Sequence, residues 1–517
     1  MPHLVVRPLS RRLSRRLLRY VSRCLFLRAA GLFAAAVAAL PAAAPLRAQA
    51  TRLGPAPAPI PDAAYAARRD SLLAHIDSGV VIAPGAREPV EHYPSFRQHP
   101  SFRYLTGFLE PDATLILVKR GGTVSATIFI EPPAPRAEFY TGTRVRYDEL
   151  GRRLGMGARS KEDVNLVLDS LAATHLPYYF VSDAEAVEFV TNDSLTFGRA
   201  LARRLGAAHP GIDIRDATPI VEALRARKSA AEIALIKYSA DISALGHRAA
   251  MHALAPNMNE YEIQALMEYT FRRNGADRPS YASIVGSGPN STTLHYDRDS
   301  RVMHAGEVLV MDVASEYQGY AADITRTLPV SGKFTPDQRV IYQIVRDAQA
   351  AGERQVKPGV LAKQEVDSIL AVVGAGLARL GLIDSVHATI EAPAGFCRTG
   401  TTCSQISLFM PHGPGHGLGL DVHDPAQWYT PPMQFGVGDV FTIEPGIYIR
   451  PGILDILPDT PANRAYMARV RPLLERYANI GVRIEDNYVV TPAGVERLTT
   501  NTPREISEVE TIMKDRK

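Results

Sequence analysis

Residues 308–329 read VLVMDVASEYQGYAADITRTLP, and this stretch places two aspartates within apolar strands. Asp312 and Asp323 are eleven residues apart and flank a turn around residues 317–319. In a hairpin with a two-residue loop, an odd separation puts both side chains on the same face of the sheet. We therefore expect two neighbouring carboxylates on a half-buried surface.

Two later strands also carry an acid where a half-buried strand normally has an apolar residue: Glu444 lies in VFTIEPG and Glu485 in VRIEDN. Arg483 shares a strand face with Glu485 because side chains alternate along a strand. Taken singly, each acid is read as an edge-strand or surface residue. Burying four carboxylates together is prohibitive unless cations compensate. An oxygen-rich cluster with few nitrogens favours hard divalent ions such as Mn²⁺ or Mg²⁺, and it suits a pair of them.

Residues 411–425 read PHGPGHGLGLDVHDP and hold three histidines, His412, His416 and His423. On a helix, His412 and His416 would form an i, i+4 metal-binding pair, but the glycines and the proline predict a loop. His423 precedes Asp424, a pairing typical of an oriented acid–base imidazole. At this point the pattern leaves open how many of the three bind metal.

The body of the chain is mildly acidic. Overall there are 58 basic and 54 acidic residues, but nine arginines and no acid lie within residues 1–50, so the rest has 49 basic and 54 acidic residues, a net charge of −5. With 46% hydrophobic and 22% charged residues, the composition is that of a globular protein. These values argue against nucleic acid as a partner.

Residues 1–50 are predicted to be a cleaved export signal. Eight arginines between Arg7 and Arg28 precede the apolar run AAGLFAAAVAALPAAAPL, and an A-x-A pattern ends at Ala50. The run is short and alanine-rich for a membrane span, so no stable span is expected after cleavage near Ala50. The prediction is therefore an exported protein, periplasmic or secreted. A misassigned start codon is the alternative explanation of the long arginine-rich segment before the apolar run.

The remaining chain divides into two predicted domains after a Pro/Ala tether at residues 51–61. Alternating strand and helix signals over residues 62–220 predict a smaller α/β domain. Residues 221–517 predict an α+β domain with helices packed on a sheet. Capping boxes begin helices after Ser229 and Asn259, and strand patterns follow them.

Cys397 and Cys403 lie close together in GFCRTGTTC. In an oxidising compartment they would close a small disulfide loop, and two free thiols are the alternative. A metal site would need more ligands than these two sulfur atoms.

The order of these elements resembles a known family. Asp312, Asp323, HGPGHGLG, TIEPG and GVRIEDN follow one another as in the pita-bread-fold metallopeptidases, most of all the proline-specific aminopeptidase P and prolidase. The resemblance covers roughly residues 220–500, and residues 96–117, FRQHPSFRYLTGFLEPDATLIL, resemble the N-terminal domain of this branch. The implied fold class is α+β: a C-terminal pita-bread (creatinase/aminopeptidase) domain preceded by a smaller α/β creatinase-like domain.

Residue by residue, the resemblance implies a site for two divalent metal ions. Asp323 and Glu485 would bridge the ions, and Glu444 would also carry a proton to the leaving nitrogen. His423 would stabilise the tetrahedral intermediate. The implied metal ligands are Asp312, Asp323, His416, Glu444 and Glu485; the implied catalytic residues are His412, His423 and Glu444; and the implied substrate-binding residues are His295 (in STTLHYD), His412, Arg483 and Tyr448.

The implied activity is that of an Xaa-Pro aminopeptidase acting on peptides with proline at the second position. Mn²⁺ is the first choice of metal, with Co²⁺, Zn²⁺ or Mg²⁺ as alternatives, and a homo-oligomer, a dimer or tetramer, is expected. A prolidase restricted to dipeptides is the nearest alternative, since the catalytic residues are shared. A non-catalytic peptide-binding homologue is disfavoured because all five ligand positions are kept.

Two segments depart from the resemblance. Residues 450–480 form an insertion beside the site that is expected to alter substrate access. Residues 424–439, DPAQWYTPPMQFGVGD, are also unusual and carry the only tryptophan, Trp428, which is expected to be a packing residue.

Overall fold

The structure is a computed structural model, and it describes residues 53–88, 96–182, 196–425 and 433–515. The predicted export signal and Trp428 lie outside these ranges. Within them, no helix is long and apolar enough to cross a membrane.

The N-terminal part of the described chain is a mixed six-stranded sheet with helices on it. A turn at Gly121 and Gly122 joins two of its strands. In chain order the elements are α1 (Asp62–Ala74), β1 (Gly79–Pro84), α2 (Pro100–Thr106), β2 (Thr114–Arg120), β3 (Thr123–Ile130), α3 (Pro135–Thr141), α4 (Tyr147–Leu154), β4 (Gly157–Ser160), α5 (Val164–Ala172), β5 (Tyr178–Phe180), α6 (Phe197–Ala208), β6 (Ile214–Asp216) and α7 (Thr218–Ala226). The strand order is β4-β3-β2-β1-β5-β6, and β1 pairs antiparallel with β2 and parallel with β5.

The C-terminal part combines long helices with several short antiparallel sheets, which confirms the predicted α+β class. In chain order the elements are α8 (Ala230–Ala253), α9 (Glu260–Arg273), β7 (Arg278–Pro279), β8 (Ile284–Ser287), β9 (Val308–Asp312), β10 (Ser315–Tyr317), β11 (Tyr320–Ala321), β12 (Thr325–Pro329), α10 (Pro336–Glu353), α11 (Ala362–Arg379), β13 (Thr389–Glu391), β14 (Thr402–Ser404), β15 (Val440–Ile443), β16 (Gly446–Ile449), α12 (Pro461–Arg476), β17 (Ile480–Arg483), β18 (Asp486–Thr491), β19 (Gly494–Arg497) and α13 (Ile506–Lys514). The sheet orders are β11-β10-β7, β12-β9-β8, β13-β14, β15-β18-β19 and β16-β17.

The two predicted capping boxes are present and begin α8 and α9. At the first, the Ser229 hydroxyl accepts from the backbone N–H of Glu232, and the Glu232 carboxylate accepts from the backbone N–H of Ser229 at 2.8 Å. Asn259 and Glu262 make the reciprocal pair at the second. Each box satisfies backbone N–H groups that the first turn of a helix otherwise leaves without partners. The predicted starts of these two helices are therefore confirmed.

The hairpin over residues 308–329 confirms the predicted face-sharing of its two aspartates. Its loop is Gln318 and Gly319, which both have positive φ (47° and 77°), the conformation of a type I′ turn. The pairing is antiparallel and in one continuous register, which places Thr325 opposite Asp312. Asp323 lies two residues before Thr325 and therefore on the same face as Asp312.

The prediction that all four acids lie inside strands is wrong. Only Asp312 does, as the last residue of β9, whereas Asp323 precedes β12. Glu444 lies between β15 and β16, and Glu485 lies between β17 and β18. Because both strand pairs keep one register, Glu444 stands opposite Glu485 where the ladder is interrupted.

One apolar cluster joins the N-terminal sheet to the part of the chain that carries the acids. It contains Leu72 and Phe102 from the first helices together with Tyr320, Leu418 and Val440. Tyr320 belongs to the hairpin over residues 308–329, and Leu418 belongs to the segment that holds His412, His416 and His423, residues 411–425, which we call the histidine loop. The histidine loop therefore packs against residues of the first helices and of the hairpin, which are far from it in sequence.

Cys397 and Cys403 form a disulfide, which decides between the two alternatives that the sequence leaves open. The bridge closes the loop between β13 and β14, whose residues Thr389–Glu391 pair with Thr402–Ser404. Cys397 is buried against the main core, so the hairpin is attached to the body of the protein.

The segment at residues 450–480 is mainly the helix α12. The Nδ2 atom of Asn463 donates to the carbonyl of Glu391 at 2.9 Å, and the Tyr466 hydroxyl donates to the carbonyl of Leu382 at 2.9 Å. The inserted helix thus packs beside the disulfide hairpin and the end of α11.

Candidate metal centre

The histidine loop is hydrogen-bonded along β15, which places His416 beside Glu444. The backbone N–H of His416 donates to Oγ1 of Thr442 at 3.1 Å, and the N–H of Thr442 donates back to the His416 carbonyl at 2.8 Å. The N–H of Glu444 donates to the carbonyl of Pro414 at 2.7 Å. The glycines of the loop allow this close backbone approach, as a helix would not.

The imidazole of His416 points into a group of carboxylates. Its Nε2 lies 3.4 Å from Oδ2 of Asp323, 3.5 Å from Oε1 of Glu444 and 3.8 Å from Oε1 of Glu485. Ligand atoms of Asp323, His416 and Glu485 all lie within 4.8 Å of one another, a spacing that can hold a metal ion. The other ring nitrogen, Nδ1, lies 3.1 Å from the Gly417 carbonyl, which fixes the orientation of the ring.

Asp312 joins this group through two side chains. The Tyr281 hydroxyl lies 2.6 Å from Oδ1 of Asp312 and 2.7 Å from Oδ1 of Asp323, so it donates to the carboxylate pair. Nη2 of Arg483 donates to Oδ2 of Asp312 at 2.5 Å. Tyr281 was missed by the sequence analysis because no motif surrounds it. It lies between β7 and β8, which pair with β10 and β9, and these two pairings bring it here.

The electrostatics of the centre oppose ionisation of three of its acids, Asp323, Glu444 and Glu485. Burial, followed by the charge of Asp312, raises the pKa of Asp323 well above its usual range. Burial and the charges of Asp323 and Asp312 do the same for Glu485, and burial and the charge of Glu485 do so for Glu444. The only arginine that these shifts share is Arg483, whose positive charge partly offsets the carboxylates of the centre, Asp312, Asp323, Glu444 and Glu485.

This donor set fits divalent cations. Glu485 is only 1% exposed, and its Oε1 atom is buried without a hydrogen-bond partner among the described residues. A buried carboxylate oxygen of this kind requires a cation or a proton. Four carboxylates with one imidazole match the oxygen-rich ligand sets of hard or borderline divalent ions.

A hydrogen-bond network around Arg483 holds several side chains of the centre in place. Arg483 donates from Nη1 to the Tyr448 hydroxyl at 2.9 Å and from Nε to Oγ1 of Thr325 at 3.1 Å. Thr325 donates in turn to Oε2 of Glu485 at 2.7 Å. The Tyr448 hydroxyl is also 2.9 Å from Nε2 of His412. Arg483, Tyr448 and His412 therefore belong to one connected hydrogen-bond network.

Gly446 in TIEPG makes this network possible. A Cβ at Gly446 would lie 2.4 Å from the hydroxyl oxygen of Tyr448, a contact that real Cβ atoms do not make. The glycine therefore gives the tyrosine hydroxyl its place between His412 and Arg483.

The remaining histidines line the same site. The rings of His423 and His416 have centroids 4.1 Å apart. Burial, and then the charge of His416, lowers the pKa of His423 to about 3. Burial, and then Arg483, lowers the pKa of His412 to about 4. His295 is exposed at the entrance, and its charge contributes to both shifts. His412 and His423 are thus neutral imidazoles near pH 7.

Asp424 does not act as the sequence suggests. Its Oδ1 lies 3.1 Å from Nη2 of Arg225 in α7, and its Oδ2 accepts from the backbone N–H of Leu420 at 2.9 Å. Although burial opposes its ionisation, Arg225 and Lys228 lower its pKa. The carboxylate therefore ties the histidine loop to α7, and the expected pairing with the imidazole is replaced by this anchor.

Two protein-family models match the chain. The model described as metallopeptidase family M24 matches residues 234–492, and the model described as aminopeptidase P, N-terminal domain, matches residues 65–177. The chain belongs to metallopeptidase family M24. All residues of the candidate metal centre lie within the M24 match, and much of the six-stranded sheet lies within the other.

The M24 chain is similar to Xaa-Pro aminopeptidases. It is 36% identical to that of Haemophilus influenzae over 424 residues, which are 81% of this chain and 89% of the relative. It is 32% identical to that of Escherichia coli over 455 residues, which are 86% of this chain and 96% of the relative.

Solved structures show the same fold. Proline aminopeptidase P II from Yersinia pestis superposes with a TM-score of 0.72 at 29% identity, covering 88% of this M24 chain and all of that one. Zn-substituted aminopeptidase P from Escherichia coli in complex with product gives a TM-score of 0.72 at 29% identity, over 88% and 99% of the two chains. The predicted pita-bread fold with its additional N-terminal domain is confirmed, and the chain is a metal-dependent aminopeptidase.

Proposed function

We propose that this M24 metallopeptidase hydrolyses the peptide bond between an N-terminal residue and a following proline, using two divalent ions. The observation that carries the proposal is the position of His416, whose Nε2 lies within 3.8 Å of three carboxylates. The proposed ligands are Asp312, Asp323, His416, Glu444 and Glu485.

One histidine ligand is sufficient in such a centre. His412 bonds to Tyr448, and its Nδ1 lies 3.8 Å from Oε2 of Glu444, at the edge of the carboxylate group. The ring of His423 packs edge-on against the ring of His416. We therefore assign His416 to metal and the other two to the substrate.

The metal ions, when bound, polarise the scissile carbonyl and lower the pKa of a water molecule. His423, as a neutral imidazole, can donate an N–H to the oxygen that becomes negative in the transition state. Glu444 lies between the imidazoles of His412 and His416, from where its carboxylate can hold a proton for the leaving nitrogen. Tyr448, fixed by Arg483, keeps His412 oriented.

Recognition of proline at the second position cannot use a hydrogen bond from the proline nitrogen. Its nitrogen carries no hydrogen in the peptide, so that atom offers no donor for recognition and must gain a proton on cleavage. Selectivity for proline then rests on the shape of the ring. The exposed imidazole of His295 at the entrance is the proposed residue beside that ring.

Metal dependence is tested by removing and restoring the ions. The chelated protein is expected to be inactive toward an Xaa-Pro-Yaa tripeptide and to regain full activity with Mn²⁺. Co²⁺, Zn²⁺ and Mg²⁺ are the comparison ions, and Mn²⁺ is expected to give the highest kcat/KM. A metal titration followed by calorimetry is expected to show two bound ions per chain. Failure to cleave with every ion would leave a non-catalytic peptide-binding homologue as the interpretation.

Substrate length separates the proposal from prolidase activity. The tripeptide Xaa-Pro-Yaa is expected to be cleaved at least as fast as the dipeptide Xaa-Pro, whereas cleavage of the dipeptide alone would assign a prolidase. The tripeptide Xaa-Ala-Yaa is the matched control for the proline ring and is expected to be a poor substrate.

Export and assembly are further parts of the proposal. Cleavage of a signal near Ala50 predicts a mature protein that begins within a few residues of Thr51, which mass spectrometry of the native N-terminus tests. The proposed dimer or tetramer is tested by light scattering on the purified protein.

A further inference from the structure

The disulfide hairpin of β13 and β14 carries a basic residue directly after its first cysteine, Arg398. Arg398 is exposed. Its guanidinium lies over the histidine loop: Nη2 is 3.6 Å from the position that a Cβ on Gly413 would occupy, and among the described residues no atom outside residues 412–414 other than this one lies within 4 Å of that position. The arginine therefore covers an otherwise open face of the loop.

This face of the loop adjoins the metal centre. Gly413 directly follows His412, and consecutive Cα atoms are ~3.8 Å apart. The Nδ1 atom of His412 is 3.8 Å from Oε2 of Glu444, one of the proposed ligands. Arg398 is thus held at the rim of the site, one residue away from a side chain that contacts the carboxylate group.

Arg398 has no acidic partner among the described residues, unlike the arginines of the neighbouring helix α12. On the neighbouring helix α12, each of the four arginines pairs with an aspartate, namely Arg464 with Asp459, Arg469 with Asp384, Arg471 with Asp455 and Arg476 with Asp337. An arginine presents planar N–H donors that match a carboxylate. An unpaired one at the mouth of a peptidase site is suited to a carboxylate of the substrate.

We propose that Arg398 binds a carboxylate of the peptide on the C-terminal side of the scissile bond, and so sets a preference for short or acidic substrates. This rests on the proposed function, because it takes the bond before proline as the one that is cleaved. An extended peptide advances ~3.3–3.6 Å per residue, so the carboxylate of the first or second residue after proline lies roughly 7–11 Å from the bond.

The disulfide gives the arginine a defined place. Cys397 is buried and packs on the main core, and Asn463 of α12 donates to the carbonyl of Glu391 at the base of the hairpin. A loop closed in this way loses less conformational entropy when Arg398 engages a ligand, since much of its freedom is already removed.

Steady-state kinetics on matched peptides test the proposal with the metal-loaded full chain. The first pair is Xaa-Pro-Gly with a free C-terminal carboxylate and the same peptide as its amide. The second pair is Xaa-Pro-Asp-amide and Xaa-Pro-Asn-amide. Wild type is expected to prefer the member with the carboxylate in at least one pair by about 5- to 20-fold in kcat/KM, mainly through KM.

In Arg398→Gln this preference is expected to fall to near unity, while kcat/KM for the uncharged peptides stays at the wild-type value. Loss of preference in the first pair alone assigns the terminal carboxylate, and loss in the second alone assigns an acidic side chain. Arg398→Lys is expected to restore part of the preference, and Arg379→Gln, at an exposed arginine in the last turn of α11, is expected to change neither ratio.

Equal loss on charged and uncharged peptides, or an unchanged preference in Arg398→Gln, would overturn the proposal. Cleavage of the amides by wild type establishes the proposed function separately, so the two failures are distinguishable. The double variant Cys397→Ser/Cys403→Ser is expected to lower the preference without reducing cleavage of the amides. An unchanged preference there would overturn the part assigned to the disulfide.

Discussion

Nη2 of Arg483 lies 2.5 Å from Oδ2 of Asp312, in a buried ion pair at the edge of the metal centre. Both residues are nearly inaccessible, at 3% and 9% exposure. The same guanidinium bonds to Thr325 and to Tyr448. Because it touches the supports of both Glu485 and His412, this one side chain couples the metal ligands to the substrate-binding histidine.

Arg483→Lys tests that coupling. A lysine keeps the charge but cannot make three directed contacts with one planar group. We expect Mn²⁺ affinity and kcat to fall by about 10- to 100-fold, as is usual when the support of a metal ligand is removed. Calorimetric titration and initial rates measure the two effects. Arg476→Lys, in an exposed pair with Asp337, is the control and is expected to behave as wild type.

Tyr281→Phe removes a hydroxyl that donates to Asp312 and Asp323 while keeping the ring. We expect Mn²⁺ affinity to fall by about tenfold, because the two carboxylates lose the group that orients them. The change is read from the metal concentration that gives half-maximal activity. Tyr261→Phe, at a tyrosine that is 54% exposed, provides the comparison. Identical metal curves for the two variants would show that the hydroxyl does not position the ligands.

The adjacent histidines His416 and His423 are expected to differ in what they bind. His416→Gln should lose metal and activity together, and excess Mn²⁺ should not restore wild-type kcat. His423→Gln should keep nearly the wild-type metal affinity and lose about 10²- to 10³-fold in kcat, the usual effect of removing a donor to the developing oxyanion. Metal content by mass spectrometry, beside kcat, distinguishes the cases. Loss of metal in both variants would contradict the assignment of a single histidine ligand.

Glu485→Gln is expected to act oppositely on the metal-free and the metal-loaded protein. In the metal-free protein, the pKa of Glu485 is raised by burial and by the charges of Asp323 and Asp312, so its ionisation near pH 7 opposes folding. The neutral amide should therefore raise Tm without metal. With Mn²⁺ it should lower Tm relative to wild type and abolish activity, because a ligand is lost. Thermal unfolding with and without Mn²⁺ measures both signs, and full activity in the variant would refute the ligand assignment.

Asp299 makes stability depend on pH outside the metal centre. It is fully buried, its Oδ2 has no hydrogen-bond partner, and burial raises its pKa to about 7. The unfolded chain has an ordinary pKa near ~4, so the folded state binds the proton more tightly. This group's contribution to the free energy of unfolding is therefore fully present below about pH 4 and is lost as the pH rises through about 7.

Asp299→Asn should remove that dependence. The amide stays neutral and tolerates the positive φ of 44° at this position. We expect the variant and wild type to differ little at pH 4, and the variant to be more stable at pH 8 by on the order of 1–3 kcal/mol. Denaturant unfolding at the two pH values, with chelator present so that the metal centre contributes equally, measures the difference. A gap that does not widen with pH would contradict the buried neutral carboxyl.

Local features of the fold could be predicted because their causes are local. The capping boxes at Ser229 and Asn259 carry both hydrogen-bonding partners within four residues, and the helices begin there. The odd spacing of Asp312 and Asp323 needs only a tight turn between two strands to bring them to one face, and the register shows this turn. The glycines of the histidine loop excluded a helix for the same local reason.

Other features could not be predicted because they depend on contacts between distant segments. Asp424 adjoins His423 in sequence, yet its carboxylate pairs with Arg225, almost two hundred residues earlier in the chain. Tyr281 reaches Asp312 and Asp323 because the strands before and after it, β7 and β8, pair with β10 and β9. Arg398 reaches Gly413 only because the disulfide hairpin packs on the core. No periodicity in the sequence encodes such neighbours.

The sequence by itself determined which chemistry this protein can perform: its acids and its histidine stand at spacings that only compensating cations make tolerable. Only the tertiary structure decided how those groups are supported and what surrounds them. Glu444 and Glu485 face each other because two interrupted strand pairs keep one register, and Glu485 is held by Thr325 and, through it, by Arg483. The physical reason is that burial raises the cost of each charge, and partners that offset this cost come from whichever segments the fold brings together.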